Sequence, residues 1–452
     1  MRTIDVGKII DESKVNRFHL GVLFWCSFII IFDGYDIVVY GSVVPILMEE
    51  WSITALQAGV IGSYTMFGIM FGMLFVSPVA DKFGWKNVII FCTALYSIFT
   101  GLVCFVNNPT MFGIYRFIAG IGMGGVVPVL IALTAEYSPK KVRSTFISIM
   151  TSGYCLGGVI SAGIAIVLIP EFGWKVMFLV GALPVLSIPF LYKYLPDSPS
   201  FYLAKNQKDK ISYLLKKVNP EFKSQEEDQY EIIVPKKSEI PMMRLFSDRR
   251  SLSTIMFWIA SAMCLLMIYG LNTWLPKLMT EAGYALNSSL MFLLVLNFGA
   301  IIGTIVGGWI SDRWSGRKVV IIFGIVGALS FILLGLGGNI YILYLLIALA
   351  GATTTGTQLT TYGYISQFYP PTMRSTGIGW TLGIGRIGGI AGPAVGGILI
   401  SMSLPFQVNF LIFAIPGIIV ALAYIFVQEK HSYSAINTEP KRNIPESTSV
   451  KS

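Results

Sequence analysis

The residues best suited to chemistry lie close together in one apolar stretch. It reads Ile31, Phe32, Asp33, Gly34, Tyr35, Asp36, with Tyr40 four positions further on. If the stretch is helical, this spacing sets both carboxylates and the phenol on one face, a polar stripe on an otherwise hydrocarbon-like segment. Two acids this close in a low dielectric cannot both ionise readily, which leaves a group able to exchange a proton near neutral pH. Neither histidine is placed for that task, because His19 lies at the edge of the stretch and His431 near the chain's end. Glu136 is the one further acid of the first half that could join Asp33 and Asp36 as a proton carrier.

Two cations stand in similar surroundings, Arg116 and Arg386. A charge inside a membrane span costs about 3 kcal/mol or more, so such residues face a cavity or a partner. Arg386 falls near the middle of residues 375–401, where its head cannot easily reach water. A guanidinium matches a carboxylate bidentately, so it could hold an anionic ligand or one of the aspartates. The competing reading is that one aspartate pairs with Arg116 or Arg386 only to hold helices together. Tyr40, Tyr154, Tyr269, Asn272, Trp274, Asn297, Gln358, Tyr362 and Trp380 are the aromatic and amide groups able to line the same space. An interfacial or packing place stays open for each, and Trp274 in particular suits an aromatic belt.

These groups need elements that carry them through a bilayer. The chain has 452 residues, 54% hydrophobic and 13% charged, against roughly 25% charged residues in soluble domains. About twelve apolar stretches recur, each long enough to cross a hydrocarbon core of about 30 Å as a helix. Runs such as Val88 to Cys92 do not alternate in polarity, which excludes a β-barrel. The fold class expected is an all-α integral membrane protein. No cleavable signal is expected, since residues 1–18 are polar and lead into a stretch too long for one.

Lys82, Lys86, Lys140, Lys141, Arg143, Arg313, Arg317, Lys318 and Arg374 would share one side of the membrane, with essentially Lys175 and Lys277 on the other. The positive-inside rule makes the basic side cytoplasmic, so both termini are expected there, in a multi-pass protein of the inner (plasma) membrane. The net charge of +9 then reads as a topology signal and a contact with anionic membrane lipid, not a nucleic-acid site. The five cysteines have no metal-type spacing, and no nucleophile-base pair or phosphate loop is present, so neither a metal, a cofactor nor an enzymatic activity is expected.

A single offset of 231 positions superimposes Gly72 on Gly303, Asp81 on Asp312, Gly120 on Gly351, Pro139 on Pro370, and Arg143, Ser144 and Thr145 on Arg374, Ser375 and Thr376. The chain is read as a tandem duplication: a cytoplasmic segment 1–18, a six-helix bundle 19–194, a cytoplasmic linker 195–252, a second bundle 253–427 and a disordered tail 428–452. The matched loops run from Ser77 through Asp81, Lys82 and Gly84 to Lys86, and from Gly308 through Asp312, Arg313 and Gly316 to Arg317 and Lys318. An acid at a helix end followed by bases can dock on neighbouring helix ends and form pairs that break as the halves rock, which makes Asp81, Gly84, Lys86, Arg143, Asp312, Arg313, Gly316, Arg317 and Arg374 candidate gating residues. Gly120 and Gly124 are read first as packing devices.

Both loops resemble the signature of the major facilitator superfamily, Gly-x-Leu-Ala-Asp-Arg-x-Gly-Arg-Lys, although the first has Ser77 for the glycine and the second an extra Ser315. Asp33 to Asp36, the run Tyr269 to Pro276 and the run Gly383 to Gly388 resemble the aromatic acid:proton symporters, and the opening stretch from Asn16 to Val43 is similar to benzoate permeases. That resemblance implies two six-helix bundles, a midplane site, alternating access, and importance for Asp33, Asp36, Asp81 and Gly84. It implies carriage of a small aromatic anion with protons; Arg386 and Arg116 would attract that anion and the polar groups above would line its site, and a monomer is expected. A transporter of a non-aromatic organic acid such as muconate, a sugar acid or shikimate, and a non-transporting membrane sensor, remain the alternatives.

Overall fold

The computed structural model describes residues 3–222, 228–231, 242–370 and 373–433; the side chains of Asp81, Asp312, Ser375 and Phe406 also lie outside the described residues. Among the described residues, twelve helices are long and apolar enough to cross a membrane: Arg17–Glu50, Ala55–Val79, Trp85–Phe105, Pro109–Tyr137, Arg143–Phe172, Lys175–Tyr194, Ser251–Glu281, Leu286–Ser311, Gly316–Gly335, Ile340–Phe368, Thr376–Ser401 and Gln407–Phe426, called spans one to twelve in that order. The tail expected to be disordered lies mostly outside the described residues.

The pairing of spans repeats between the halves. Spans one with five, two with four, and three with four and six recur as seven with eleven, eight with ten, and nine with ten and twelve. Two bundles of six result, joined along spans one and seven, two and eleven, and five and eight.

The duplication extends to atomic packing. A Cβ on Gly72 would sit 2.1 Å from the Ile121 carbonyl oxygen, and one on Gly303 would sit 2.0 Å from that of Ala352, which are the same contacts at the offset of 231. Gly157 against Ile31 and Gly388 against Ala262 repeat the pattern at 1.9 Å each. Only a residue without a side chain lets two helix backbones approach this closely, the usual route to dense packing where lipid provides no hydrophobic drive. Gly120 and Gly124 belong to the same seam, since a Cβ on either would overlap the carbonyl of Thr65 or Ile69.

The halves differ where proline intervenes. Span two leaves α-geometry for a π turn at Gly72–Val76 and a 3-10 turn at Ser77–Val79, next to Pro78, while span eight continues as one α-helix, Leu286–Arg313. Span six is split into Lys175–Gly181, Leu183–Ser187 and Ile188–Tyr194, with Pro184 and Pro189 at the joints. A missing N–H and a ring that clashes with the preceding turn account for both breaks.

Residues outside the spans form a small cap on the first bundle. The strand Thr3–Asp5 pairs in parallel with Gln229–Glu231 of the linker. The linker helix Lys208–Val218 buries Ile211, Leu214, Leu215 and Val218, and its last carbonyls, on Lys217 and Val218, accept from the Asn16 side chain at 2.9 Å each.

Candidate functional site

Spans one, two, four and five of the first bundle and spans seven, ten and eleven of the second enclose a cavity of about 190 Å³. Its walls are mostly apolar, with Ile30, Ile69, Met73, Met123 and Leu265 among them. The polar groups are few: Asp33, Thr151 and Tyr154 on one side, Tyr269, Thr355, Gln358, Tyr362 and Arg386 on the other. A concave apolar pocket with a few convergent polar groups is how proteins hold a small organic ligand, and this one is smaller than the 300 Å³ or so at which drug-sized sites begin.

Arg386 is half-buried in this wall and donates from Nη1 to the Tyr269 hydroxyl at 2.9 Å, while its Nε has no hydrogen-bond partner among the described residues. The Tyr269 hydroxyl also takes a long bond from Tyr154 across the two bundles, at 3.4 Å. Asp33 is buried and its Oδ1 has no hydrogen-bond partner among the described residues. A half-buried cation with a free donor and a buried carboxyl with a free oxygen therefore share one small chamber. Such groups are costly to desolvate, so a ligand or proton that satisfies them is strongly favoured there.

Asp36 has a different setting. A residue three positions on is rotated by about 60° around the helix axis, and that turn carries it away from the cavity into its own bundle. Its carboxylate pairs with Arg116 of span four and accepts from Thr100 of span three at 2.9 Å; Arg116 also donates to the Asp36 backbone oxygen at 2.9 Å. Both partners are shielded, at 0% and 1% exposure, and the guanidinium lies 5.8 Å from the centre of the Phe178 ring. Asp36 and Arg116 thus tie spans one, three, four and six together and do not line the cavity, so the expectation that Arg116 faces it is corrected.

Other expected lining residues also turn elsewhere. Tyr40 donates to the Ala58 carbonyl at 2.6 Å and is buried between spans one and two. Asn297 donates to Asn272 at 2.9 Å, and both border a separate small space. Trp274 is fully buried with its indole donating to Pro393 O at 2.7 Å, which replaces the belt reading. Trp380, 41% exposed, packs beside Trp258 outside the cavity. Glu136 sits at the end of span four and accepts from Ser200 at 2.9 Å. A larger groove of about 670 Å³ between spans two and four is bordered by exposed Leu56, Val60 and Phe67 and by other uncharged residues, so it presents no charged side chain to an ion.

The loops between spans two and three and between eight and nine are held from behind by acids that the sequence reading missed. Gly84 has φ +95, and a Cβ there would come within 2.5 Å of Asp197 Oδ2. Asp197 Oδ1 accepts from the backbone N–H of Trp85 at 2.7 Å and of Lys86 at 3.3 Å, so it caps the start of span three. Tyr137 donates to the Asp197 carbonyl. Burial holds the Asp197 carboxyl above the usual carboxylate range, opposed by its N–H donors and the Lys86 charge. In the second half Arg317 donates to Tyr424 O at 2.9 Å and Ile425 O at 2.8 Å and pairs with Glu429 at 3.4 Å. Each loop is thus tied to the end of its own bundle's last span. The signal was available: Asp197 falls on Gln428, beside Glu429, under the same offset.

Of the remaining gating candidates, Lys86 lies 4.8 Å from the Tyr192 ring centre and Arg313 3.9 Å from that of Trp309. Arg143 pairs with Asp11 of the amino-terminal helix, Arg374 donates to Tyr369 O at 3.3 Å, and Gly316 packs on Tyr364.

Beyond the cavity, on the side away from the termini, the bundles meet closely. A Cβ on Gly41 would lie 1.8 Å from Asn272 O, one on Gly59 2.5 Å from Pro393 O and one on Gly158 2.4 Å from Asn297 Oδ1. Ser63 donates across the interface to Ile390 O at 2.7 Å.

Two bundles closed at one end around a small, mostly apolar chamber with a few charged and polar groups define a membrane transporter. The sequence model of the Major Facilitator Superfamily matches residues 26–315 and 294–449, and the chain belongs to that family. It is 41% identical to the benzoate transport protein of Acinetobacter baylyi over 100% of this chain and 98% of that one. It is 36% identical to the gentisate transporter of Corynebacterium glutamicum (90% and 87% covered) and 28% identical to a 4-hydroxybenzoate transporter of Pseudomonas putida (94% and 96%). Among solved structures, a bacterial homologue of the human lysosomal transporter Spinster matches with TM-score 0.73 at 16% identity, covering 93% of this chain and 100% of that one. A D-xylose-proton symporter matches at TM-score 0.68 and 15% identity, covering 90% and 97%.

Proposed function

We propose that this chain is a proton-coupled carrier that imports single-ring aromatic carboxylates, benzoate and hydroxybenzoates among them, by alternating access. The observation that supports it most is that Arg386, with its free Nε, and Asp33, with its free Oδ1, line the same small apolar chamber between the bundles. The aromatic acids named for its relatives fit that chamber: a flat ring for the apolar walls and a carboxylate for the guanidinium.

Asp33 is the proton carrier in this reading. Protonated, it is neutral and tolerates the arrival of an anion; deprotonated, it competes with the substrate for Arg386. Release of proton and anion on the same side then follows from one electrostatic balance. Asp36 serves as an anchor through Arg116. The basic loops set the face bearing the termini toward the cytoplasm of a cell-membrane protein, so the closed glycine-lined end faces outward and the chamber belongs to an inward-facing state. The two tied loops keep each bundle rigid while the bundles rock, and a monomer suffices for the cycle.

Uptake of radiolabelled benzoate into cells carrying the chain, with and without a protonophore, tests the reading. Accumulation that collapses with the protonophore and with Asp33→Asn supports it, whereas accumulation indifferent to both contradicts it.

A further inference from the structure

The chamber has a buried amide that neither the carboxylate nor the proton uses. Gln358 of span ten is buried, at 4% exposure, and lines the cavity. Its Nε2 donates to Ser261 at 2.9 Å and to Tyr362, which leaves Oε1 as a buried acceptor without a partner. Ser261 is fixed in turn against Gly385, beside Arg386, since a Cβ on Gly385 would meet its hydroxyl at 2.4 Å. The amide is therefore clamped from behind, on the same wall as the guanidinium, with its acceptor left over.

Resting on the proposed function, we infer that Gln358 selects the ring substituent: its Oε1 accepts a hydrogen bond from a phenolic hydroxyl, so the site favours hydroxybenzoates over benzoate. Benzoate satisfies Arg386 and leaves the amide oxygen desolvated and unpaired. A hydroxybenzoate satisfies both ends. Pockets built to bond a substrate hydroxyl discriminate well against the analogue that lacks it, whereas an apolar pocket gains little from the comparison. Leucine has a similar volume to glutamine and no acceptor, so it converts the first kind of wall into the second.

The test is competition against labelled 4-hydroxybenzoate uptake by unlabelled benzoate, 3-hydroxybenzoate and 4-hydroxybenzoate, with the full chain in proteoliposomes, for the wild type and Gln358→Leu. The wild type is expected to bind at least one hydroxybenzoate about tenfold more tightly than benzoate, and Gln358→Leu to erase about that ratio. A ratio unchanged by the substitution overturns the role of Gln358 while leaving the carrier reading intact. Should Gln358→Leu fail to insert, the wild-type ratio still decides: benzoate competing as well as both hydroxybenzoates overturns the inference. A wild type that transports none of the three overturns the proposed function itself.

Discussion

Asp33 and Asp36 show how much a single helical step decides. Their spacing in the sequence places them on one polar face, where they look equivalent. Packing separates them: Asp33 meets the chamber, and Asp36 meets Arg116 and Thr100. No pattern in span one distinguishes these outcomes, because the partners come from spans three and four. Two substitutions should therefore behave differently. Asp36→Asn strips the charge from a buried pair and leaves Arg116 uncompensated, a loss of about 3–5 kcal/mol, visible as a lowered melting temperature of the purified protein and reduced amount in the membrane. Asp33→Asn should leave melting close to wild type, yet abolish proton-driven accumulation while substrate exchange between equal pH compartments continues. Arg386→Lys keeps the charge but replaces a fork by a point donor that cannot hold Tyr269 and a carboxylate together; the KM for benzoate should rise by about tenfold or more, with little change in melting.

At the scale of elements, the loops and the glycine seams carry the predictions. The turn at Gly84 needs its positive φ and has no room for a Cβ beside Asp197. Gly84→Ala should destabilise the inner end of the first bundle by about 1–3 kcal/mol, and pairing it with Asp197→Ala should not restore the melting temperature, because that change relieves the clash but leaves the backbone strain and removes the cap on span three. Gly41→Leu should act otherwise. Its side chain would press on the Asn272 backbone across the two bundles, so the closed outer end should open, and a cysteine introduced at Ser63 should label faster with a membrane-impermeant thiol reagent from outside. Unchanged labelling would mean that the seam is not a gate.

The elements themselves were readable from composition: twelve apolar stretches correspond to the twelve spans, because hydrocarbon thickness leaves few other ways to satisfy a backbone. In the cap made by residues 3–12 and the linker, the strands were not, since three residues are too few to show a period, whereas Ile211, Leu214, Leu215 and Val218 of the linker helix do stand at helical spacing. Asp197 and Glu429 were passed over for a related reason, as acids just beyond a span look like ordinary solvated linker until the loop they cap is seen folded back on them.

For the molecule as a whole, duplication explains the scaffold and its loss explains the site. Gly72 with Ile121 and Gly303 with Ala352 keep one contact in two copies, which fixes two similar rigid bodies. Asp33 corresponds to Cys264 and Arg386 to Cys155 under the same offset, so the charged groups of the chamber exist once each, on opposite bodies. Coupling by this account needs that inequality: a proton on one bundle and an anion on the other meet only where the two face each other. The most direct measurement is uptake of labelled benzoate by proteoliposomes holding the purified chain, alkaline inside and acidic outside, with the membrane potential clamped. The account predicts accumulation above equilibrium that follows the pH gradient, vanishes when the gradient is dissipated, and is absent in Asp33→Asn although that variant still exchanges bound for free substrate. Accumulation driven equally well without a pH gradient, or retained in full by Asp33→Asn, would contradict it.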